Sequence, residues 1–386
     1  MSRKEARRAS SGLREVFAHS GYRRLWSART ASAWGDAFAT VALSLLVWER
    51  TGSGLGVSGV VAAEIAPVLL LSPIAGVVVD RMSPVRVMVA ADLARTGLAA
   101  VLPVVDHSVP GVYAIAFVMS AASAFFNPAA GAALPALVDE GRLIAANSGI
   151  WTAAVVSQVV LAPAAGAVVT AVGYGPAFWI NAASFAVSAL LLARLRLARP
   201  APAAARAGFW HQARDGIAVL CGHRVLRALA AGQGLAALSA GATNALLVVL
   251  VRDRLDAGPA GYGIALACIG IGAAAGPLVL TRFVSDSHRP VFVFGPYLLR
   301  AAVDAVLAVV HLPVVALGSL AGYGVGTSTG AVTFSSLLQV EAPHEARGRV
   351  FAAFDVIWQL GRLASLAVGG WLTRQASPSS TPPAPP

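Results

Sequence analysis

Charged residues are scarce in this chain. Asp, Glu, Lys and Arg supply 12% of its 386 residues and apolar residues supply 57%, whereas charged residues make up about 25% of an ordinary soluble domain. A chain of this length with so few charges cannot cover a water-exposed surface. The composition therefore excludes an ordinary soluble enzyme or binding domain and predicts an integral membrane protein.

Cysteines and the usual motifs of cofactor chemistry are also few. Cys221 lies in a linker and Cys268 in an apolar run, which indicates neither a disulfide framework nor a metal site. The glycines at 54–59 have the spacing of a dinucleotide fingerprint, but they follow an apolar span instead of a strand. The sequence contains no phosphate-binding loop with its lysine and no nucleophile–base pair. We therefore predict that the protein is not an enzyme and binds no metal or cofactor.

Long apolar runs make up most of the chain. About 20 apolar residues in a helix, at 1.5 Å per residue, cross the roughly 30 Å hydrocarbon core of a membrane. Windows of about 19 residues predict eleven such helices and an all-α integral membrane fold. The predicted spans are 25–48, 55–79, 87–105, 110–130, 148–170, 174–194, 228–251, 261–281, 290–310, 313–338 and 350–372.

Basic residues occur in short clusters between these runs. The net charge of +11 is therefore not the compact basic face of a nucleic-acid-binding protein. If the connections lie alternately on the two sides of the membrane, most arginines fall on the side of the N-terminus. Because short basic loops stay in the cytoplasm, we predict a multi-pass protein of the cell membrane with a cytoplasmic N-terminus.

A polar segment rich in Pro, Ala and Arg divides six spans from five. The sequences at 21–25 and 222–226 resemble each other, as do those at 46–50 and 250–254. A repeat with an offset of roughly 200 residues predicts two parallel halves with a substrate site between them. The predicted organisation is a cytoplasmic tail at 1–24, a six-span bundle at 25–194, a cytoplasmic linker at 195–227, a second bundle with five spans at 228–372, and a disordered tail at 373–386.

The connection between the second and third spans carries a pattern of charges. Gly76 is followed by Asp80 and Arg81, and Arg86 opens the next span. This order resembles the loop signature of the major facilitator superfamily of transporters. The other matching pieces are Gly-Asp-Ala-Phe at 35–38, Asp-Leu-Ala-Arg at 92–95, Ala-Asn-Ser at 146–148, Ile-Asn-Ala-Ala-Ser-Phe at 180–185 and Arg-Gly-Arg-Val at 347–350.

The resemblance covers about 22–372 and favours the branch of macrolide and siderophore exporters, which are drug–proton antiporters. It implies the major facilitator fold, in which two parallel helical bundles hold twelve spans. Three features depart from the family pattern: Ser-Pro-Val at 83–85 replaces a basic run, the fifth-span exporter signature is reduced at 161–166, and the twelfth span is missing. The alternatives are therefore an uptake symporter on the same fold and a truncated membrane protein that does not transport.

Two carboxylates fall well inside predicted spans. Asp36 is about 11 residues into the first span and Glu64 about nine residues into the second, which places both near the middle of the membrane. A carboxylate there costs roughly 2.5–3.5 kcal/mol on insertion scales and is expected to face a cavity, a partner or a proton path. We predict that Asp36 and Glu64 couple transport to protons. The alternative is that each is a structural acid paired with a neighbouring helix.

A second group of charges is expected at the cytoplasmic mouth. By the resemblance, these residues form a latch that holds the two halves together while the protein faces outward. The alternative is a set of ordinary charges at helix ends that reach the aqueous interface. The predicted cytoplasmic gate consists of Gly76, Asp80, Arg81, Arg86, Asp92 and Arg95.

Other polar and aromatic residues inside the spans are candidates for the substrate cavity. Arg300 shares a helix face with Asp304, and Arg362 shares one with Asp355, so internal salt bridges are the stronger expectation for these pairs. Hydrogen bonds between helices explain the amide side chains equally well. The predicted cavity residues are Phe38, Asn127, Gln158, Asn181, Arg300, Asp304 and Arg362, with Gln233 and Asn244 as further amides.

These features predict a secondary active transporter. We expect proton-coupled multidrug efflux of a bulky amphipathic small molecule, such as a drug, an antibiotic or a siderophore-like compound, by alternating access. The expected partners are the lipid bilayer and the substrate. We expect a monomer that binds no nucleic acid.

Overall fold

The computed structural model describes residues 15–139, 142–197, 209–283, 290–310, 312–341 and 347–376. Within these ranges the regular secondary structure is helical and includes no strand, so the predicted all-α fold class is confirmed. Residues 1–14 of the predicted N-terminal tail and residues 377–386 of the predicted disordered tail lie outside the described residues. The domain boundaries stay predictions.

Twelve helices of 14 residues or more follow one another in the described part of the chain. The first six are α1 (Ser20–Thr51), α2 (Gly54–Arg81), α3 (Pro84–Val105), α4 (Val109–Ala133), α5 (Leu143–Val172) and α6 (Tyr174–Ala193). The other six are α7 (Phe209–Gly222), α8 (Arg224–Val249), α9 (Pro259–Phe283), α10 (Pro290–Val309), α11 (Pro313–Glu341) and α12 (Arg347–Ala376). A π-helical turn, Leu250–Arg254, continues α8.

Each of the eleven predicted spans coincides with one of these helices. Many of the helices extend a few residues beyond the predicted ends, because a hydropathy window detects the apolar part whereas the helix continues into the polar interface. Helix α7 was not predicted, and it lies inside the segment assigned to the linker. Within the described residues, eight helices are long and apolar enough to cross a membrane.

Short connections join successive helices into antiparallel hairpins. Gly52 ends α1 with a φ of 57°, a left-handed conformation that favours glycine. Ser53 Oγ then accepts a hydrogen bond from the Leu55 backbone N–H at 3.2 Å and caps α2. Ser108 Oγ caps α4 in the same way, by accepting from the Gly111 N–H at 3.2 Å. These local signals fix where the chain reverses.

The first six helices pack into one bundle. Helix α1 lies against α5 and α6, α3 lies against α4 and α6, and α2 packs on α4. Helix α6 therefore fills the groove between α1 and α3. The contact is close, because a Cβ on Gly35 of α1 would lie 2.8 Å from the Cβ of Ser184 on α6.

The later helices repeat this arrangement with one difference. Helix α8 packs on α12, while α9 and α10 both pack on α11, as α1 packs on α5 and as α2 and α3 pack on α4. The groove between α8 and α10, which corresponds to the groove that α6 fills, holds no helix from the described residues. It forms a cavity of about 770 Å³ lined by residues such as Leu235 and Phe294. The described part of the chain therefore has no twelfth span.

The two halves share a buried apolar cluster at one end and have separate clusters at the other. Helix α5 packs on α9, and α2 packs on α12. Near the end of α1, one buried apolar cluster contains residues of both halves, such as Leu46 of α1, Leu247 of α8 and Leu320 of α11. Near the start of α1, one cluster belongs to the first half and a different cluster belongs to the second. We call these the joined end and the divided end.

Glycines form the contact between α5 and α9 at the joined end. A Cβ on Gly166 would lie 2.8 Å from the Cα of Ala260, and a Cβ on Gly263 would lie 2.8 Å from the Cα of Pro163. The two backbones therefore touch with no side chain between them, which is the usual role of small residues where membrane helices pack. We call this contact the glycine seam.

Replacing Gly263 with leucine should push α5 and α9 apart and destabilise the joined end by about 1–3 kcal/mol, the usual cost of overpacking. The expected result is a lower midpoint of thermal unfolding for the purified full-length protein. Gly97→Leu is the matched control, because a Cβ at Gly97 meets nothing within 4 Å. Equal midpoints for the two variants would contradict a tight seam.

Candidate functional site

Asp36 and Glu64 lie next to the apolar cluster of the joined end, on the side toward the divided end. Both side chains are exposed although they lie well inside α1 and α2. The next turn of α1 toward the joined end contributes Phe38 and Val41 to the shared apolar cluster, and the neighbouring turn of α2 contributes Val60. The two carboxylates therefore lie where that cluster ends and the two halves begin to separate.

Residues of both halves face these carboxylates. Glu64 lies within electrostatic range of Asp36 in its own half and of Arg362 on α12. Tyr262 on α9 also lies within range of Glu64, and a hydrogen bond joins its side chain to that of Ser44 on α1. The site is therefore assembled by α1, α2, α9 and α12. Its charged groups therefore belong to both halves.

Asp92 and Arg95 form an ion pair inside the first bundle. Asp92 is 0% exposed and Arg95 is 5% exposed. Ser188 Oγ on α6 donates a hydrogen bond to Asp92 Oδ2 at 2.6 Å. The guanidinium carbon of Arg95 lies 4.5 Å from the ring centroid of Phe126 and 4.3 Å from that of Phe185. Because both charges are compensated within the bundle, the pair holds α3, α4 and α6 together.

The other predicted gate residues lie at or near the connection between α2 and α3. Arg81 and Arg86 have exposed side chains at the divided end. The surroundings of Gly76 and the side chain of Asp80 lie outside what the structure describes. The structure therefore describes the Asp92–Arg95 pair, and the latch as a whole stays a prediction.

The predicted cavity residues of the first half have different surroundings. Phe38 is buried in the apolar cluster that joins the halves. Asn181 is fully buried, and a Cβ on Gly35 would lie 2.5 Å from its Oδ1. Asn127 is exposed and Gln158 is half-buried. Asn181 thus lies in the contact between α1 and α6 rather than in an open space.

Arg300 and Asp304 do not form the expected direct salt bridge. Arg300 Nη2 donates to Ser239 Oγ on α8 at 3.0 Å, and that hydroxyl donates to Asp304 Oδ2 at 2.9 Å. Arg300 Nη2 also donates to the Tyr323 hydroxyl at 3.2 Å. The expectation was wrong because a hydroxyl from a neighbouring helix lies between the two charges and satisfies both. Arg300 and Asp304 line the groove between α8 and α10.

Arg362 and Asp355 are not paired either. Arg362 Nη1 donates to Gln359 Oε1 at 3.4 Å, and its charge lies within range of Glu64 in the other half. Asp355 is exposed and lines a cavity of about 290 Å³ that Arg300 also lines. The spacing of the two residues along α12 could not reveal that the negative charge within range of Arg362 lies on another helix.

Several residues of these contacts were not predicted, among them Ser188 and Tyr262. Ser188 lies seven residues after Asn181 on one face of α6, and that spacing could have marked it as a contact residue. Nothing in the sequence marks Tyr262, because its hydrogen bond depends on how the two halves meet. Of the further amides, Gln233 is half-buried and the side chain of Asn244 lies outside the described residues.

Known proteins resemble the chain in sequence and in fold. A family model of the Major Facilitator Superfamily matches residues 25–378. The multidrug efflux pump Tap of Mycolicibacterium fortuitum is 28% identical over 364 residues, which are 89% of this chain and 87% of that protein. Macrolide efflux protein A of Streptococcus pyogenes is 30% identical over 123 residues, which are 31% of this chain and 30% of that protein.

Among solved structures, the nucleoside transporter NupG has the same fold, with a TM-score of 0.72 at 14% identity and 90% of each chain covered. The predicted family and the predicted absence of an enzyme activity agree with these matches. With a family match over most of its length and a transporter fold, the chain belongs to the major facilitator superfamily and is a multi-pass membrane transporter.

Proposed function

We propose that this transporter exports a bulky amphipathic small molecule in exchange for protons, by alternating access, as a monomer in the cell membrane. The observation that carries the proposal is the position of Asp36 and Glu64, two exposed carboxylates that lie within range of each other beside the joined end. A carboxylate at this depth in a membrane protein needs a partner or a function. A proton and a substrate that compete for the same carboxylates occupy the site in turn, which couples their movement in opposite directions.

The placement of basic residues supports a cytoplasmic N-terminus. The joined end carries Arg50, Arg252 and Arg254. The divided end carries the larger set, which includes Arg23, Arg24, Arg81, Arg86, Arg142, Arg194, Arg224 and Arg227. Because basic loops remain in the cytoplasm, the divided end faces the cytoplasm in this proposal. The described arrangement is then the one that loads substrate from inside the cell.

The packing of the halves supports alternating access. One end is closed by an apolar cluster from both halves, and the other end has two separate clusters. Rocking of the halves about the central contacts exchanges the closed end for the open one without unfolding either bundle. Each bundle can move as a rigid body because its buried charges are compensated internally.

The surroundings of Asp36 and Glu64 support an amphipathic substrate. The names of two relatives support export rather than uptake. Phe38, Val41 and Val60, next to Asp36 and Glu64, are buried in the shared apolar cluster, so the two carboxylates are polar groups beside an apolar region, a combination that suits a molecule with an apolar body and a polar group. Two relatives are named as efflux proteins, one for multiple drugs and one for macrolides. An uptake symporter on this fold would move the same kind of molecule in the direction of the protons.

Proteoliposomes test the exchange directly. With an acidic lumen, an antiporter accumulates substrate inside whichever way the protein is inserted, whereas a symporter accumulates it when the lumen is alkaline. We expect accumulation of at least one of erythromycin, tetracycline and ethidium above the level in protein-free liposomes at acidic lumen pH. Accumulation that occurs only with an alkaline lumen would make the protein a symporter. No accumulation in either case would refute the proposal.

Asp36→Asn keeps the shape of the side chain and removes its ability to bind and release a proton. We expect this variant to exchange labelled substrate downhill while its concentration ratio across the vesicle membrane falls to about one, the value without coupling. Glu64→Gln should also lower the concentration ratio, since Glu64 shares the site with Asp36. Asp139→Asn, an exposed carboxylate near the divided end, is the matched control. If Asp36→Asn still concentrates substrate, Asp36 is structural.

The orientation is tested by gene fusions. A reporter that is active only in the cytoplasm should work when it is fused after Arg86, at the divided end, and should fail after Gly258, at the joined end. The opposite pair of results would place the N-terminus outside the cytoplasm.

A further inference from the structure

Helices α2 and α12 meet across the boundary between the two halves. Ile65 and Leu69 of α2 and Leu366 of α12 form a small buried cluster, with Val61 and Leu363 packed against it. This apolar contact fixes the position of the two helices relative to each other. The residues immediately before Ile65 and before Leu363 are both charged.

Those two charged residues are Glu64 and Arg362, and each adjoins this cluster on its own side of the boundary. Each lies within electrostatic range of the other. They are not in direct contact, since the ion pairs within 4.0 Å in the described residues do not include this pair. A proton, water or a polar group of a substrate can therefore alter their attraction.

The other groups that face this pair are few in the described part of the chain. Asp36 approaches Glu64 from α1, Tyr262 approaches it from α9, and Tyr323 of α11 lies within range of Arg362. Within its own helix, Arg362 has a hydrogen bond to the neutral amide of Gln359 at 3.4 Å. A guanidinium at this depth requires a negative charge nearby, and the negative charge in range is on the opposite half.

We propose that Arg362 is the counter-charge of Glu64 and a positioning residue, rather than a substrate ligand. Their attraction holds α2 against α12 and keeps the joined end closed. Neutralising either residue removes that attraction and shifts the protein toward arrangements in which the joined end opens. The inference deepens the proposed function, because it assigns to the Glu64–Arg362 pair the step by which a bound proton changes the balance of conformations.

This balance can be measured without any transport assay. His107 on the connection before α4 and Leu312 before α11 are exposed residues of different halves at the joined end. In full-length protein with Cys221 and Cys268 replaced by serine, spin labels at these two positions report the opening of the joined end as a distance distribution. We would record it for purified protein in lipid nanodiscs between mildly acidic and mildly alkaline pH.

In the parent protein, acidification should raise the ratio of long to short distances by roughly 5- to 150-fold, the usual range for coupling between sites. Glu64→Gln and Arg362→Gln should each show the acidified distribution at every pH. The double variant should match the single ones, because both changes remove the same attraction. Arg362→Lys should keep most of the pH response, and Arg227→Gln, an exposed arginine of the same half, should behave like the parent.

Two results would overturn the inference. One is an Arg362→Gln variant whose ratio of long to short distances, and whose change of that ratio with pH, stay within about twofold of the parent. A difference that small is below the coupling expected. The other is a pH response that persists in both Glu64→Gln and Arg362→Gln, which would assign it to Asp36. If Arg362→Gln does not fold, Glu64→Gln and Arg362→Lys decide the outcome by the same criteria. If acidification shifts the distance distribution as expected but the protein exports nothing, the proposed function is refuted, while the inference about the Glu64–Arg362 pair still holds.

Discussion

The low dielectric of the membrane interior is the constraint on which this structure depends, since a charge placed there must find a partner or reach water. Asp92 and Arg95 meet the requirement with each other, and Arg300 and Asp304 meet it through the hydroxyl of Ser239. The first contact lies within the first bundle and the second contact lies within the second bundle. These four charges therefore do not depend on the position of the other half.

The charges at the boundary meet the same requirement in a different way. Glu64 lies within range of Asp36 on its own half and of Arg362 on the other, so the energy of this group depends on how the halves are placed. The two kinds of charge are equally polar in the sequence. What separates a structural charge from a functional candidate here is whether its partner moves with it.

Much of the fold could be predicted from the sequence, whereas the side-chain contacts between helices could not. The span at 25–48 and the helix Ser20–Thr51 agree because burial in lipid demands a long apolar run, and Gly52 and Ser53 mark the turn that follows. The family signature predicted the fold and the transporter class, which the matches confirm. Helix α7 was missed because it is too short to span a membrane. Residue spacing reports neighbours within one helix, whereas Ser239 bonds to Arg300 and Asp304 from another helix, and Glu64 and Arg362 lie on different helices.

The glycine seam has a consequence for how the halves move. A contact made by side chains must exchange rotamers when it slides, and each exchange has an entropic cost. At Gly166 and Gly263 the surfaces that touch are backbone, which has no rotamers to rearrange. In the proposed alternating access, the seam therefore adds little to the cost of moving one half against the other, and that cost falls on the charged groups at the boundary.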